Sequence, residues 1–234
     1  MTRRRWIADE HKGDTAALTG TNAAHLARVL RARVGQQFDI SLGTHIRRGT
    51  ITSIAEDRVE FTLGEELPST AITPISLYLA VFKFDRLEWA IEKCTELGVA
   101  KIIPVIARRT EPHLAASAAK RVERWRRIAL EAAQQSRRAA PPEITEPVKL
   151  KQTLEAVGQR IVLAETEQQN MLRDVLEASE QSREVSLAIG PEGGWTDDEL
   201  TQFDQSGWQR ASLGPTILRA ETASISAVAI TLSS

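Results

Sequence analysis

Two Gly/Pro-broken segments near the end of the chain limit its fold more than any other feature. The first is Ile189-Gly190-Pro191-Glu192-Gly193-Gly194-Trp195. The second runs from Leu213-Gly214-Pro215 through Thr216-Ile217-Leu218-Arg219 to Ala220-Glu221-Thr222. Each follows a short apolar run that reads as a strand and precedes a stretch that reads as a helix. Two sharp strand-to-helix turns this close together are where an α/β sheet binds a small molecule. Gly193 and Gly194 let the backbone approach a ligand with no Cβ in the way. Thr196-Asp197-Asp198-Glu199 then has the form of a capping box, which sets the first turn directly at a helix N-terminus. After the second turn, a helix over Arg219–Leu232 is apolar along Ile225, Val228, Ala229 and Leu232, so that face is expected on the sheet. Neither segment is GxxxxGK[ST] or GxGxxG, which argues against a P-loop or an ordinary dinucleotide site.

The rest of the chain divides in two. Residues 1–72 read as short strands (Phe38–Leu42, Arg48–Ile54, Arg58–Leu63) with one or two helical turns between Thr21 and Arg33. That turn carries His25, Leu26, Val29 and Leu30 on one side, with Arg28, Arg31 and Arg33 near the other. The pattern predicts a small β-barrel, an architecture often used to bind nucleic acid. From residue 73 the pattern changes. Leu77–Phe82 is a near-continuous apolar run, as for a strand buried on both faces. Asp85–Leu97 reads as a helix with Leu87, Ile91, Cys94 and Leu97 on one stripe and Gly98 as its C-terminal cap. Lys101–Ile106 is the next strand, and such alternation implies a mostly parallel sheet covered by helices. A long helix is expected over Ala115–Arg138, stopped by Pro141-Pro142. Residues 143–158 are weakly patterned. Arg160–Ala164 and Glu184–Ile189 read as strands, and Met171–Glu177 as a helix.

Charge is uneven along the 234 residues. The net formal charge is +1 over residues 1–72, +6 over 73–140 and −8 over 141–234. A basic middle in a near-neutral chain fits one anion-facing surface, although a solvated helix face has the same signature. Arg137 and Arg138 near a helix C-terminus also have a plain electrostatic role open to them. No apolar run is long enough to span a bilayer, and the start of the chain lacks the apolar stretch of a signal peptide. The single cysteine suits a reducing cytosol, so a cytoplasmic protein is expected. The scattered histidines show no metal-ligand spacing.

The paired turns resemble the RsmE family of 16S ribosomal RNA (uracil N3)-methyltransferases, of the SPOUT class. Glu92-Lys93-Cys94-Thr95-Glu96-Leu97-Gly98-Val99 and Ala132-Ala133-Gln134-Gln135-Ser136-Arg137 resemble two further signatures of that family. Val29-Leu30-Arg31 resembles part of its N-terminal PUA-like barrel. The resemblance implies a SPOUT-type α/β domain with a C-terminal trefoil knot and a homodimer. It also implies S-adenosylmethionine as methyl donor and small-subunit ribosomal RNA as partner. Carried over residue by residue, the adenosyl pocket comprises Leu163, Ala164 and Glu165, then Ile189, Gly190, Pro191, Glu192, Gly193 and Gly194, then Leu213, Gly214, Pro215, Ile217 and Leu218. Arg219 and Glu221 stand at the reacting edge, and Arg28, Arg31, Arg137 and Arg138 face RNA. Three departures stand out. Thr216 and Ala220 replace an expected Arg and Thr, and Leu42-Gly43-Thr44-His45 lacks an expected Asp-Gly.

Methyl transfer to a uracil N3 needs alignment of the reacting atoms and disposal of one proton. Arg219, always protonated, suits a developing oxyanion and not a base. Glu221 or a water is the proton acceptor, unless Glu221 simply pairs with an arginine and orders the turn. The target base must leave its stack. Rival readings are a ribose 2′-O-methyltransferase of the same class, a non-catalytic RNA-binding protein and a nucleotide-binding enzyme of ordinary doubly wound topology.

Overall fold

The computed structural model describes residues 5–43, 45–68, 74–178 and 184–234. Two compact units are present. Met1–Ala71 with Ala133–Pro141 form one, and Ile72–Ala132 with Pro142–Ser234 the other. The boundary expected between residues 72 and 73 lies outside the described residues, as does Thr44.

The first unit holds β1 (Arg5–Ile7), β2 (Glu10–Lys12), β3 (Thr15–Thr19), α1 (Gly20–Ala24), a π-helical turn (His25–Val29), β4 (Gln37–Ser41), β5 (Ile46–Ile54) and β6 (Arg58–Leu67). The strands form one sheet in the order β1-β4-β5-β6-β3-β2, antiparallel except for β1 with β4. Its two edge strands are consecutive in sequence, joined through Ala8 and Asp9, so the sheet curls back on itself. The alternation in β6 is realised: Val59, Phe61 and Leu63 are buried while Glu60 and Thr62 are exposed. Leu26 and Ala23 seal the core from the helical side. Of the residues read on one side of the turn, Leu26 is buried, whereas His25, Val29 and Leu30 are exposed in the π-turn and at its end.

The second unit contains β7 (Ile75–Ala80), α2 (Phe84–Leu97), β8 (Lys101–Ile106), α3 (Pro112–Ser117), α4 (Val122–Gln135), β9 (Glu143–Ile144), β10 (Val148–Lys149), α5 (Leu150–Thr153), β11 (Gln159–Leu163), α6 (Leu172–Glu177), β12 (Val185–Ile189), α7 (Asp197–Gln205), β13 (Gln209–Ala211) and α8 (Ala220–Ser233). All strand pairs are parallel, in the order β10-β8-β7-β12-β11-β13, with β9 also on β8. The carboxyl ends of β11, β12 and β13 therefore lie side by side. Central β7 and β12 are almost entirely buried, as their apolar runs require.

Local signals explain most of these elements. Leu87, Ile91 and Cys94 form the buried stripe of α2, and Gly98 closes the helix at φ 117°, a conformation costly to any residue with a Cβ. Burial pushes the Cys94 thiol up to about 12, so it is an inert core residue. Two expectations fail and a third holds in part. The long helix over Ala115–Arg138 is broken into α3, a 3₁₀ turn (Ala119–Arg121) and α4. It ends at Gln135, well before the prolines. There Arg137 takes a left-handed φ of 61°, its N–H bonds Gln134 O at 3.3 Å, and Arg138 N–H bonds Ala133 O at 2.9 Å. This is a Schellman ending. In α8 the stripe read from the sequence holds in part: Val228 is buried and Ile225 and Leu232 pack against the core, but the fully buried side is centred elsewhere. Ala229 is exposed, and Glu221, Ser224 and Thr231 are buried with Ala220, Ala227 and Val228. The hydroxyls of Ser224 and Thr231 donate to Ala220 O and Ala227 O of their own helix, which removes the penalty of burying them.

Candidate active site

Three chain segments converge where β11, β12 and β13 end. From β12 the chain enters the first Gly/Pro turn, closed by Gly194 N–H on Pro191 O at 2.7 Å. Gly194 sits at φ 68°, and a Cβ there would lie 3.2 Å from Glu165 Oε1. The expected capping box follows. Glu199 N–H donates to Thr196 Oγ1 at 3.3 Å, and Thr196 N–H donates to Glu199 Oε2 at 2.8 Å. Glu199 is buried, and its other oxygen accepts Arg108 N–H at 2.7 Å. The neighbouring Arg109 places Nη1 on Gly193 O and, at 3.2 Å, on Trp195 O. The loop after β8 is thus fastened to the first turn by a buried carboxylate and a guanidinium. The second turn leaves β13 through Ser212, whose Oγ accepts Gly214 N–H at 3.2 Å, and ends at Arg219, the N-cap of α8.

Between these segments lies a cavity of about 270 Å³. Leu163, Ala164, Glu165, Ile189, Gly190, Pro191, Glu192, Gly194, Leu213, Gly214, Pro215, Ile217 and Leu218 all line it, joined by Thr216. Gly193 does not; its carbonyl is turned to Arg109. Trp195, the end of the first segment, lines it too, and sequence reasoning missed Arg109, Asp197, Leu200 and Ala223, which also do. Asp197 had a local signal, as the residue after the cap. Arg109 had none, since its role depends on strands distant in sequence.

The lining is apolar on Leu163, Ile189, Leu200, Leu213 and Leu218. Its ionisable groups are three carboxylates (Glu165, Glu192, Asp197) against Arg109, whose Nη1 is taken by the carbonyls of Gly193 and Trp195. Such a slot favours an amphipathic cation over a phosphate. Thr216, where the family pattern expects an arginine, leaves that balance negative.

Arg219 and Glu221 are not among the cavity-lining residues. Arg219 is exposed at the head of α8. Glu221, one residue into the helix, is 4% exposed. Arg86 Nε lies 3.8 Å from its Oε1, and its Oε2 is buried without a hydrogen-bond partner among the described residues.

The four arginines proposed for RNA all belong to the first unit. Arg28 pairs with Glu56. Arg138 is half-buried, and loss of solvation lowers its pKa. Arg31 and Arg137 are exposed and share a backbone feature. At φ 50° and 61° they are the non-glycine residues with positive φ among those described, each just past a helical C-cap. Arg137 O also accepts Arg5 Nη1.

One prediction concerns the first turn. Gly194→Val should weaken small-molecule binding at the cavity at least tenfold, because the side chain meets Glu165 and forces φ out of its present region. Calorimetric titration of the cavity ligand checks this, and unchanged affinity would mean the turn does not hold the ligand.

Residues 69–232 match the RNA methyltransferase domain family, and residues 18–64 match the RNA methyltransferase PUA domain. The chain is 35% identical to ribosomal RNA small subunit methyltransferase E of Synechocystis, over 92% of this chain and 72% of that protein. It is 31% identical to the protein of that name from Bacillus subtilis, over 92% of this chain and 88% of the relative. Among solved structures, it is similar to a ribosomal RNA small subunit methyltransferase E from Neisseria gonorrhoeae bound to S-adenosyl methionine. The TM-score is 0.87 with 27% identity, covering 99% of this chain and 98% of the other.

Proposed function

We propose a function from the premise that the chain belongs to the ribosomal RNA small subunit methyltransferase E family: it methylates small-subunit ribosomal RNA with S-adenosylmethionine as donor. The acceptor in our reading is N3 of a uridine in 16S RNA. The observation that carries the proposal is the cavity at the ends of β11, β12 and β13, apolar with an acidic rim and built from both Gly/Pro turns. The residues present fit a sulfonium cofactor. The leucines and Ile189 offer a slot for a flat heterocycle, Gly194 lets the backbone come close, and the carboxylates complement positive charge. When bound, that cofactor supplies an electrophilic methyl group.

The chain must supply the rest. Arg219, exposed at the head of α8, is the cation for the oxyanion that develops on the base. Glu221 is the group that takes the N3 proton, since its Oε2 accepts from no donor among the described residues. Holding the target nitrogen about 3–3.5 Å from the methyl is the remaining requirement. Arg31 and Arg137, on the unit that carries the PUA-like sheet, are the RNA contacts.

The trefoil knot and the homodimer belong to the same reading. After β13, at the sheet edge, α8 returns to pack on α2 and central β12, the course a threaded C-terminus would take. Ile225, Ile230 and Leu232 of α8 pack on the core but stay partly accessible, and α2 carries Trp89, 46% exposed. These side chains suit a second copy. No helix among the described residues is long and apolar enough to cross a membrane; a cytoplasmic location, where ribosomes are assembled, accords with the proposed substrate.

Mass-spectrometric mapping of ribosomal RNA from cells lacking the protein tests the acceptor. Loss of one N3-methyluridine from 16S RNA, restored by the purified protein and S-adenosylmethionine, is the expected outcome. Loss of a ribose 2′-O-methyl group instead would overturn it.

A further inference from the structure

We propose that Arg86 is a positioning residue for methyl transfer, bridging the two turns so that Glu221 keeps one oxygen free for the substrate proton. The inference rests on the reading of Glu221 given above.

Arg86 is the third residue of α2, in its first turn, where the helix dipole disfavours a cation. Its placement therefore calls for another reason. The guanidinium supplies one: Nη1 lies 3.3 Å from Glu192 Oε1, and Nε lies 3.8 Å from Glu221 Oε1. Glu192 belongs to the first turn and lines the cavity; Glu221 follows the second turn directly. One side chain from a different helix thus spans both halves of the site.

The burial of the partners makes the bridge unequal. The Glu192 side chain is 31% exposed and water can solvate it, whereas that of Glu221 is 6% exposed. A carboxylate this buried is costly unless a charge compensates it. Around α8 the charged groups are Asp85, Arg86, Glu88, Glu92, Lys93 and Glu96 on α2, and Arg173, Asp174 and Glu177 on α6, while β12 carries none. Lys93 is taken up by Glu92 and Glu96, Arg173 by Glu177, and Glu88 is bound by Arg121 and Arg124. Among the described residues, only Arg86 forms an ion pair with Glu221.

Arg86 Nε faces Oε1 at ion-pair distance, and Oε2 is buried without a hydrogen-bond partner among the described residues. An orphaned buried acceptor is rare in native proteins and calls for an explanation. Here a donor is due when the base arrives. The proton on the acceptor nitrogen passes to Oε2, giving a neutral carboxylic acid, and the nitrogen keeps its electron pair for the new C–N bond. Arg86 touches neither base nor methyl; it acts through Glu221.

Arg86→Met retains the aliphatic stem and removes the fork; Arg86→Lys retains the charge. For Arg86→Met we expect kcat to fall 10- to 100-fold. KM for RNA and the calorimetric Kd for S-adenosylmethionine should change less than threefold. Arg86→Lys should recover at least a third of the lost rate and, being the milder change, keeps the test open should Arg86→Met not fold. The cycle with Glu221→Gln is decisive: the double variant should be no slower than Glu221→Gln alone, as for residues acting as a unit. A kcat for Arg86→Met within twofold of the parent overturns the proposal. So does a fall in cofactor affinity and melting temperature that parallels the fall in kcat, or multiplicative effects in the cycle. Full activity of Glu221→Gln overturns it together with the proton-acceptor reading, whereas a slow Glu221→Gln beside a normal Arg86→Met removes Arg86 alone.

Discussion

Glu221→Gln is expected to lower kcat for RNA methylation by about 10²–10⁴-fold, the usual worth of a positioned proton acceptor, without weakening the fold. Glutamine keeps the volume and shape of a buried side chain, so no cavity opens. It removes a charge that is buried, held by one guanidinium at 3.8 Å, and left with an unpartnered oxygen. Such a charge stabilises little or nothing, because its desolvation offsets its attraction to Arg86. Arg86 retains Glu192 and partial exposure to water, so it is not stranded. A purely structural carboxylate would behave in the opposite way: removing it would lower the melting temperature and leave kcat of the folded fraction intact. Steady-state methyl incorporation at saturating cofactor, measured beside a thermal melt, separates the two. A kcat within threefold of the parent would assign Glu221 to ordering the turn and leave the proton to water.

The parts of this site that a reader of the sequence could see are those whose causes are local. Gly190 through Gly194 must turn because glycine and proline leave few alternatives, and Thr196 with Glu199 caps α7 because the spacing brings them together in any helix. Gly98 ends α2 for the same kind of reason. What was illegible depends on residues far apart in the chain. Arg109 acts on Gly193 and Trp195, Glu199 reaches Arg108, and Arg86 meets Glu192 and Glu221; nothing near these residues marks them. The parallel strand order that brings the three segments together is what creates these contacts. In α8 the periodic reading caught Ile225, Val228 and Leu232 but not the centre of the buried side, because hydroxyl-bearing and small apolar residues are mixed around the helix and no single stripe stands out. Its small and hydroxyl-bearing residues can be buried at little cost once the hydroxyls bond their own backbone. The end of α4 was misplaced because an arginine occupies a position where glycine would have announced the stop. β9 and β10 escaped notice because two residues carry no period.

That arginine supplies the second large effect. Arg31→Gly with Arg137→Gly is expected to weaken binding of small-subunit RNA about 10- to 100-fold while leaving stability unchanged or slightly higher. Both residues sit in the left-handed region at a helical C-cap, where a side chain costs roughly 1–2 kcal/mol and glycine costs nothing in sterics. Glycine loses more chain entropy on folding, by about 0.5–1 kcal/mol, so the net gain is small. An arginine in this backbone region at each of two helix ends points to a use for the side chain, and both side chains face solvent. If they meet phosphates, each lost contact should flatten the slope of log affinity against log salt by about 0.7–0.9, giving a change near 1.5 for the pair. The effect should be uniform across RNA sequences, since backbone contacts position without reading bases. Cofactor affinity should be untouched, because neither residue belongs to the unit that holds the cavity. Filter binding at several salt concentrations, with chemical denaturation of the same samples, makes the comparison. An unchanged salt slope with raised stability would show the two arginines to be strained without service to RNA. A loss of stability would show their side chains to be structural.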